Sequence, residues 1–234
     1  RIAKKIAHSG LCSRREAELL INNGCVKLNG NVIKNCNINV TTKDIIEVNN
    51  QKLKAKEKVR LWLYYKKKGF LVTTKDIQGR PNIFDEIKLK VNKRLISIGR
   101  LDFNSEGLLL LTNNGDFARK LELPQNKFQR TYKVRIFGTI NNKIKDQLKN
   151  GIKVNSIKYK PIELELEEEK GKNRWLTMRL YEGKNREIRK IMDHFGCKVN
   201  RLIRISYGPF NLKDLKPGQL TELKYKNFNK LLKS

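Results

Sequence analysis

Four consecutive leucines at 108–111 stand between Gly107 and the turn residues Asn113, Asn114 and Gly115. A short, unbroken apolar run between turn signals predicts a strand covered on both faces. A second pattern alternates. Over 130–137, Tyr132, Val134 and Ile136 fall on one side and Thr131, Lys133 and Arg135 on the other. That period of two predicts a half-buried strand. Further strands are predicted over 59–65, 70–74, 175–180, 202–205 and 220–223. The alternating apolar and acidic stretch 161–169 reads as a sheet edge. Helical spacing is clearest at Ile188, Ile191, Met192 and Phe195, behind Asn185 as a cap and ahead of Gly196 as a stop. Shorter helices are predicted over 81–87, from Asp116 as cap to Glu122, and over 141–150 before Gly151. The run Lys66-Lys67-Lys68-Gly69 reads as a basic turn, and 224–234 as a basic helix or tail. Strands outnumber helices and alternate with them irregularly. The large unit is therefore expected to be α+β with a mixed, mostly antiparallel sheet.

The first 58 residues follow a different plan. Ile2, Ile6 and Ala7 recur at helical spacing, and Ser9-Gly10 ends that helix. Ser13 and Glu16 form a capping-box pattern ahead of Ala17, Leu20 and Ile21, and Asn22-Asn23-Gly24 closes the second helix. Strands at 25–28 and 31–33 flank the hairpin turn Asn29-Gly30, and 44–48 supplies another. Residues 49–58 hold one large apolar residue, Leu53, and read as a solvated linker. The division is a small domain at 1–48, a linker at 49–58 and a large domain at 59–234.

Charge changes the picture. The chain carries 52 Lys and Arg against 23 acids, a net +29 over 234 residues. Self-repulsion on that scale calls for a polyanionic partner, and nucleic acid fits best. The excess is +7 in residues 1–58 and +22 in the rest, so the large domain meets the polyanion as well. A membrane partner is not expected. No segment sets a basic face against a large apolar one, and no run has the length of a transmembrane helix. No signal peptide is visible, and the chain opens on Arg1 rather than Met, so further residues are expected ahead of it. Cys12, Cys25, Cys36 and Cys197 form no CxxC pair, and only His8 and His194 could assist them, so no metal site is expected. Free thiols fit a reducing cytoplasm.

Asp102 lies between Arg100 and the leucine run. An acid pinned by a loop against a buried strand has the rigidity that a nucleophile or general base requires. A surface ion pair with Arg100 is the plainer alternative. Two other segments carry candidate chemistry: Arg130-Thr131-Tyr132, and the stretch Glu182-Gly183-Lys184-Asn185-Arg186-Glu187-Ile188-Arg189-Lys190 at a helix start. Taken singly, Tyr132 is a core tyrosine and these cations are a solvated helix face.

The combination is more specific. Ser13-Arg14-Arg15-Glu16-Ala17, the asparagine-glycine helix end and Val26-Lys27-Leu28-Asn29-Gly30-Asn31-Val32 resemble the S4 RNA-binding domain over about residues 1–48. That resemblance implies a reader of RNA shape, with Lys4, Lys5, Arg14, Arg15 and Lys27 facing the phosphates. Gly99-Arg100-Leu101-Asp102, the leucine run with its Thr112-Asn113-Asn114-Gly115 end, Tyr132-Lys133-Val134 and the 182–190 segment resemble the RsuA/RluB family of RNA pseudouridine synthases over about 59–223. Gly208-Pro209-Phe210 and the turn Leu215-Lys216-Pro217-Gly218 match the same family's end. The resemblance implies the pseudouridine synthase fold and isomerisation of a uridine in ribosomal RNA, with 23S rRNA favoured and 16S rRNA as the alternative.

In that resemblance Asp102 matches the catalytic aspartate, as nucleophile at the sugar C1′ or as base in a glycal route. Tyr132 matches the tyrosine that stacks on the flipped base. Arg189 matches the basic residue that ion-pairs with the aspartate. Arg100 would help hold the extruded nucleotide, and Lys184 and Arg186 would meet phosphates. No cofactor is implied, and a cytoplasmic monomer is expected. Ser105, Asn114 and Arg130 depart from the family's more usual Thr, acid and Lys, which leaves the subfamily open. The reading from another class is a non-catalytic S4-type, ribosome-associated RNA-binding factor. Asp102, Tyr132 and Arg189 together argue against it, because RNA binding alone needs no buried acid.

Overall fold

The structure, a computed structural model, describes residues 1–55, 57–170 and 173–233. Helices α1 (Ile2–His8) and α2 (Arg14–Asn22) pack on a small antiparallel sheet of β1 (Val26–Leu28), β2 (Asn31–Ile33), β3 (Ile46–Val48) and β4 (Gln51–Lys52), in the order β2-β1-β3-β4. The capping box of α2 is formed on both sides: Ser13 Oγ accepts the Glu16 amide at 3.1 Å, and Glu16 Oε2 accepts the Ser13 amide at 2.7 Å. Ile2, Ile6, Ala17, Ile21, Val26 and Val48 make the core of this unit. The stretch expected to be linker begins inside the sheet. Asn49 and Asn50 both take positive φ, which asparagine tolerates, and return the chain as β4. Leu53 then packs against the same core.

The large unit follows as β5 (Leu61–Lys66), α3 (Ile83–Lys88), β6 (Ile96–Ile98), β7 (Glu106–Thr112), α4 (Gly115–Glu122), β8 (Arg130–Phe137), α5 (Asn142–Asn150), β9 (Ile152–Val154), β10 (Ile157–Tyr159), β11 (Glu163–Lys170), β12 (Asn173–Leu180), α6 (Glu187–His194), β13 (Lys198–Tyr207), β14 (Phe210–Asn211), β15 (Leu220–Glu222) and α7 (Lys230–Lys233). Its main sheet runs β11-β12-β8-β13-β7-β5-β15, with β14 on β13 and β6 on β7. Every pairing described in it is antiparallel except β7 with β13. The acidic stretch forms the edge strand β11, as its alternation predicts.

The leucine run explains why both faces of this sheet are covered. Leu109 and Leu111 face one core with Trp62, Tyr132, Val134 and Met192. Leu108 and Leu110 face another with Phe117, Leu121, Tyr207 and Phe228. Successive side chains of a strand point to opposite faces, so four leucines in a row need a layer on each side.

Four local expectations are corrected. Residues 70–74 form no strand; Leu71 makes a single bridge to Asn82. Helix α3 starts at Ile83, because the Asn82 side chain accepts the Phe84 and Asp85 amides. Asn114 rather than Asp116 caps α4, accepting the Phe117 amide at 2.9 Å. Asp116 is left to reach across to the small unit, 2.8 Å from Lys4 Nζ and 3.4 Å from His8 Nε2. Lys66 is no turn residue. It ends β5 with its side chain wholly buried.

The parallel pairing depends on Gly107, which lies opposite Arg204 with φ +103°. A Cβ there would stand 2.3 Å from the Arg204 carbonyl oxygen and 2.7 Å from its nitrogen. Steric exclusion and the positive φ act together. Gly107→Ala is expected to cost at least about 2 kcal/mol of stability, read as a lowered denaturant midpoint. An unchanged midpoint would contradict the close β7–β13 approach.

Candidate active site

The loop from Leu101 to Ser105 joins β6 to β7, and cations hold it from beneath. Lys66 Nζ donates to the carbonyls of Ser105 at 2.7 Å, Lys67 at 3.0 Å and Phe103 at 3.4 Å. The Gly69 amide adds a bond to Phe103 O at 2.8 Å. Arg189, on α6, donates through Nη2 to the Asn104 carbonyl and through Nη1 to that of Val199, each at 2.9 Å. Three successive loop carbonyls thus each meet a cation. Burial lowers the Lys66 ammonium to about 8, against the upward pull of the Asp102 and Glu106 charges. Burial and the Arg186 charge also lower Arg189, and the Asp102 charge opposes them.

Above the loop opens a cavity of about 940 Å³, large enough for an extruded nucleotide. Four carboxylates line it, and three are committed. Asp76 is clamped by the Arg80 guanidinium and amide, which hold it near 2. Glu122 accepts the Gly99 amide at 2.6 Å. Glu187 is buried and accepts the Lys184 amide at 2.8 Å. The Asp102 carboxylate accepts no hydrogen bond among the described residues. Among the described residues it is the one acid in the cavity left without a hydrogen-bond partner.

The structure brings Arg100, Asp102, Tyr132, Lys184 and Arg186 around this cavity. Tyr132 is almost fully buried on β8. Arg100 and Arg186 are exposed, and Arg186 stands at the start of α6 with φ +51°. Asn185 is therefore not the cap of that helix. Three expectations change. Arg189 forms no ion pair with Asp102; it binds the loop's carbonyl instead and acts on the acid only through its field. Lys184 is exposed but engaged within the chain, with Nζ 2.9 Å from Glu182, bonded to the Lys158 carbonyl and over the Tyr159 ring. Lys4 is engaged by Asp116, and Arg14 lies 3.6 Å from Glu18 on its own helix. Lys5, Arg15 and Lys27 form no salt bridge among the described residues, and Lys27 is half-buried in β1. They lie on the small unit and do not line the Asp102 cavity.

Two cations escaped sequence reasoning. Lys66 sits inside a lysine run that looks like a turn. Its signal was the unbroken strand Leu61–Lys66, apolar on both faces up to that residue. Arg204 is a buried arginine inside the apolar stretch 202–205. It donates from Nε to Leu108 O at 2.7 Å, and its Nη2 has no partner among the described residues. A lone charge inside a strand this apolar was the available signal.

Comparison with known proteins gives a consistent result. A family model described as RNA pseudouridylate synthase matches residues 60–194, and the S4 domain model matches 1–46. A Rickettsia bellii protein named as an uncharacterized RNA pseudouridine synthase is 47% identical over 95% of this chain and 96% of its own length. The ribosomal large subunit pseudouridine synthase B of Buchnera aphidicola (subsp. Acyrthosiphon pisum) is 38% identical over 99% of this chain and 95% of its own, and that of Bacillus subtilis 37% over 95% and 91%. A crystal structure of a pseudouridylate synthase superimposes with a TM-score of 0.67 at 25% identity, covering 99% of both chains.

The pair Glu182–Glu187 gives a pH test. Burial pushes Glu187 up to about 7, outweighing the Lys184 amide. Burial would also raise Glu182, but the Lys160 amide and the Lys184 ammonium keep it low. Between about 4.5 and about 7 the folded chain therefore holds a proton on Glu187 that the unfolded chain has lost. Stability falls as pH rises through that window. Glu187→Gln is expected to gain on the order of 1–3 kcal/mol over the parent at about pH 8, with the gain vanishing near pH 4. Denaturation curves at the two pH values measure it, and an equal difference at both would contradict the assignment.

Proposed function

The chain belongs to the RNA pseudouridylate synthase family, with an S4 domain ahead of the catalytic one, and from that premise we propose that it converts a uridine of large-subunit (23S) ribosomal RNA to pseudouridine, with Asp102 as the reacting group. The names of the Buchnera and Bacillus relatives support the large-subunit substrate. The single observation that carries the role of Asp102 is its uncommitted carboxylate on a loop that Lys66 and Arg189 hold rigid.

In the reaction the N1–C1′ bond breaks, the base turns, and a C5–C1′ bond forms. The C5 proton leaves and N1 gains one, so electrons and atoms balance within one nucleotide. Asp102 either attacks C1′ and carries the ribose while the base turns, or removes a ribose proton to form a glycal. Both routes need a carboxylate with no competing donor, aimed into a pocket that water does not flood. The target must leave its stack to reach the pocket, at a cost of a few kcal/mol. Tyr132, buried on the cavity wall, supplies a face for the base and offsets part of that cost. Tyr132 would also assist the final proton removal. Arg100 and Arg186, exposed on the rim, supply charge for the backbone around the flipped nucleotide. Arg189 is a positioning residue in this reading, since it holds the Asn104 carbonyl.

The S4 domain adds a second basic surface through Lys5, Arg14 and Arg15. The domain division at 1–48, 49–58 and 59–234 is part of the proposal, with 51–53 built into the first unit. So is a monomer acting in the cytoplasm. No described helix is long and apolar enough to cross a membrane.

The test uses transcripts of 23S and 16S rRNA labelled with tritium at uridine C5. Isomerisation puts the sugar where that hydrogen was, so label appears in water. Release from the 23S transcript, with pseudouridine mapped to one position, is the expected result. Release from neither transcript would overturn the reading, and release from 16S alone would overturn the large-subunit assignment.

A further inference from the structure

A second cavity, of about 650 Å³, lies between the small and large units. It shares walls with the cavity over Asp102. Thr73 and Lys75 line the first, and Thr74 between them lines the second. Likewise Arg94 and Leu95 line the second, and Ser97 and Gly99 just beyond them line the first. One loop and one short strand separate the two spaces.

Contacts at its two ends bound this cleft. The chain leading out of the small unit is clipped to the large one: Asn113 Oδ1 accepts the Arg60 amide, and Asn113 Nδ2 donates to the Lys58 carbonyl, each at 2.9 Å. Glu57 pairs with Lys93 at 2.7 Å. On the other side Asp116 of α4 holds Lys4 of α1. The two units therefore face one another across a gap that the Lys4–Asp116 pair bridges.

The lining has two parts. Phe84, Leu53 and Leu95 form an apolar floor, and Leu11 adds a side chain 57% exposed. Around it stand Lys52, Lys54, Lys88, Lys93 and Arg94 against one acid, Glu57, which Lys93 already holds. Lys52, Lys54, Lys88 and Arg94 form no salt bridge among the described residues. Four like charges around an apolar floor repel one another, offset within the chain by the attraction of Arg94 for Glu16. Cations that track a backbone, over a surface on which bases can lie, are what an unpaired nucleic-acid strand requires.

We propose that this interdomain cavity is a second RNA subsite, which takes unpaired nucleotides flanking the target uridine. Their phosphates meet Lys52, Lys54, Lys88 and Arg94, and their bases lie on Phe84 and Leu11. The assignment rests on the reading of the chain as an enzyme acting on ribosomal RNA. It adds that the target must be next to an unpaired stretch, because duplex RNA is too wide for a space of this size. The S4 domain then contributes a wall of the substrate channel as well as a separate RNA-binding face.

The test compares two RNA probes by fluorescence anisotropy with the full chain. One is a short stem-loop with a uridine in its loop. The other is the same stem-loop with unpaired tails of about eight nucleotides at both ends. The parent protein is expected to bind the tailed RNA about tenfold more tightly, with a salt slope steeper by about two. The variant Lys54→Glu/Lys88→Glu/Arg94→Glu is expected to bind both probes alike. A milder Lys54→Ala/Lys88→Ala variant, expected to lose about half of the added slope, serves if the triple change unfolds the chain. Absence of a tail preference in the parent, a preference retained in the variants, or equal weakening of both probes would each overturn the subsite. Tritium release from the 23S and 16S transcripts separates the two claims. Tail binding without isomerisation would sink the enzymatic reading and leave the subsite standing. Isomerisation without tail preference would do the reverse.

Discussion

A single ammonium sets the geometry on which the candidate chemistry depends. Lys66 is fully buried at the end of β5, and its three donors go to the carbonyls of Lys67, Phe103 and Ser105. A buried charge is costly unless it is satisfied, and carbonyl oxygens satisfy it without neutralising it. The remaining positive field falls on Asp102 and Glu106, which in turn help keep the lysine charged. Arg189 repeats the device from α6 through the Asn104 carbonyl. Both cations are occupied by backbone, so neither closes on the Asp102 carboxylate. The acid is fixed by its own loop and left open to the cavity, which a hydrogen-bonded carboxylate would not be.

The sheet supplies the rigid end of that arrangement. Lys66 lies opposite Gly107 in the β5–β7 pairing, and Gly107 lies opposite Arg204 in the parallel β7–β13 pairing. Loop, lysine and buried arginine therefore meet at one row of the sheet. The leucines that follow anchor the row in two cores at once, one under α6 and one under α4. Arg189 comes from α6, so packing of Ile188, Ile191 and Met192 on the first core sets how close its guanidinium stands to the loop. Packing on the apolar layers is thus transmitted to the position of one carboxylate.

Much of this was legible in the residues, and the failures have a common cause. The leucine run, the alternation of Tyr132, Val134 and Ile136, and the Ser13–Glu16 capping box are local patterns with short-range physics, and the structure keeps them. Helix caps were less legible. Asn114 and Asp116 are both good caps, and only the contact of Asp116 with Lys4 and His8 shows why one caps and the other bridges. Charged side chains were least legible, because their partners are distant in sequence. Lys66 reads as a turn until residues 103 and 105 are brought to it. Lys184 reads as a phosphate ligand until Glu182, the Lys158 carbonyl and the Tyr159 ring are seen to hold it. Arg189 reads as a partner of Asp102, and it serves the backbone beside it.

The measurement that bears most directly on this account is single-turnover release of tritium from C5-labelled ribosomal RNA by Asp102→Asn, alongside its affinity for the same RNA. Asparagine keeps the shape of the side chain and removes its negative charge and nucleophilicity. Release slower by at least about 10³-fold is expected, with affinity within a few-fold of the parent. Release at near the parent's rate would contradict it, because the group that reacts would then have to lie elsewhere in the cavity.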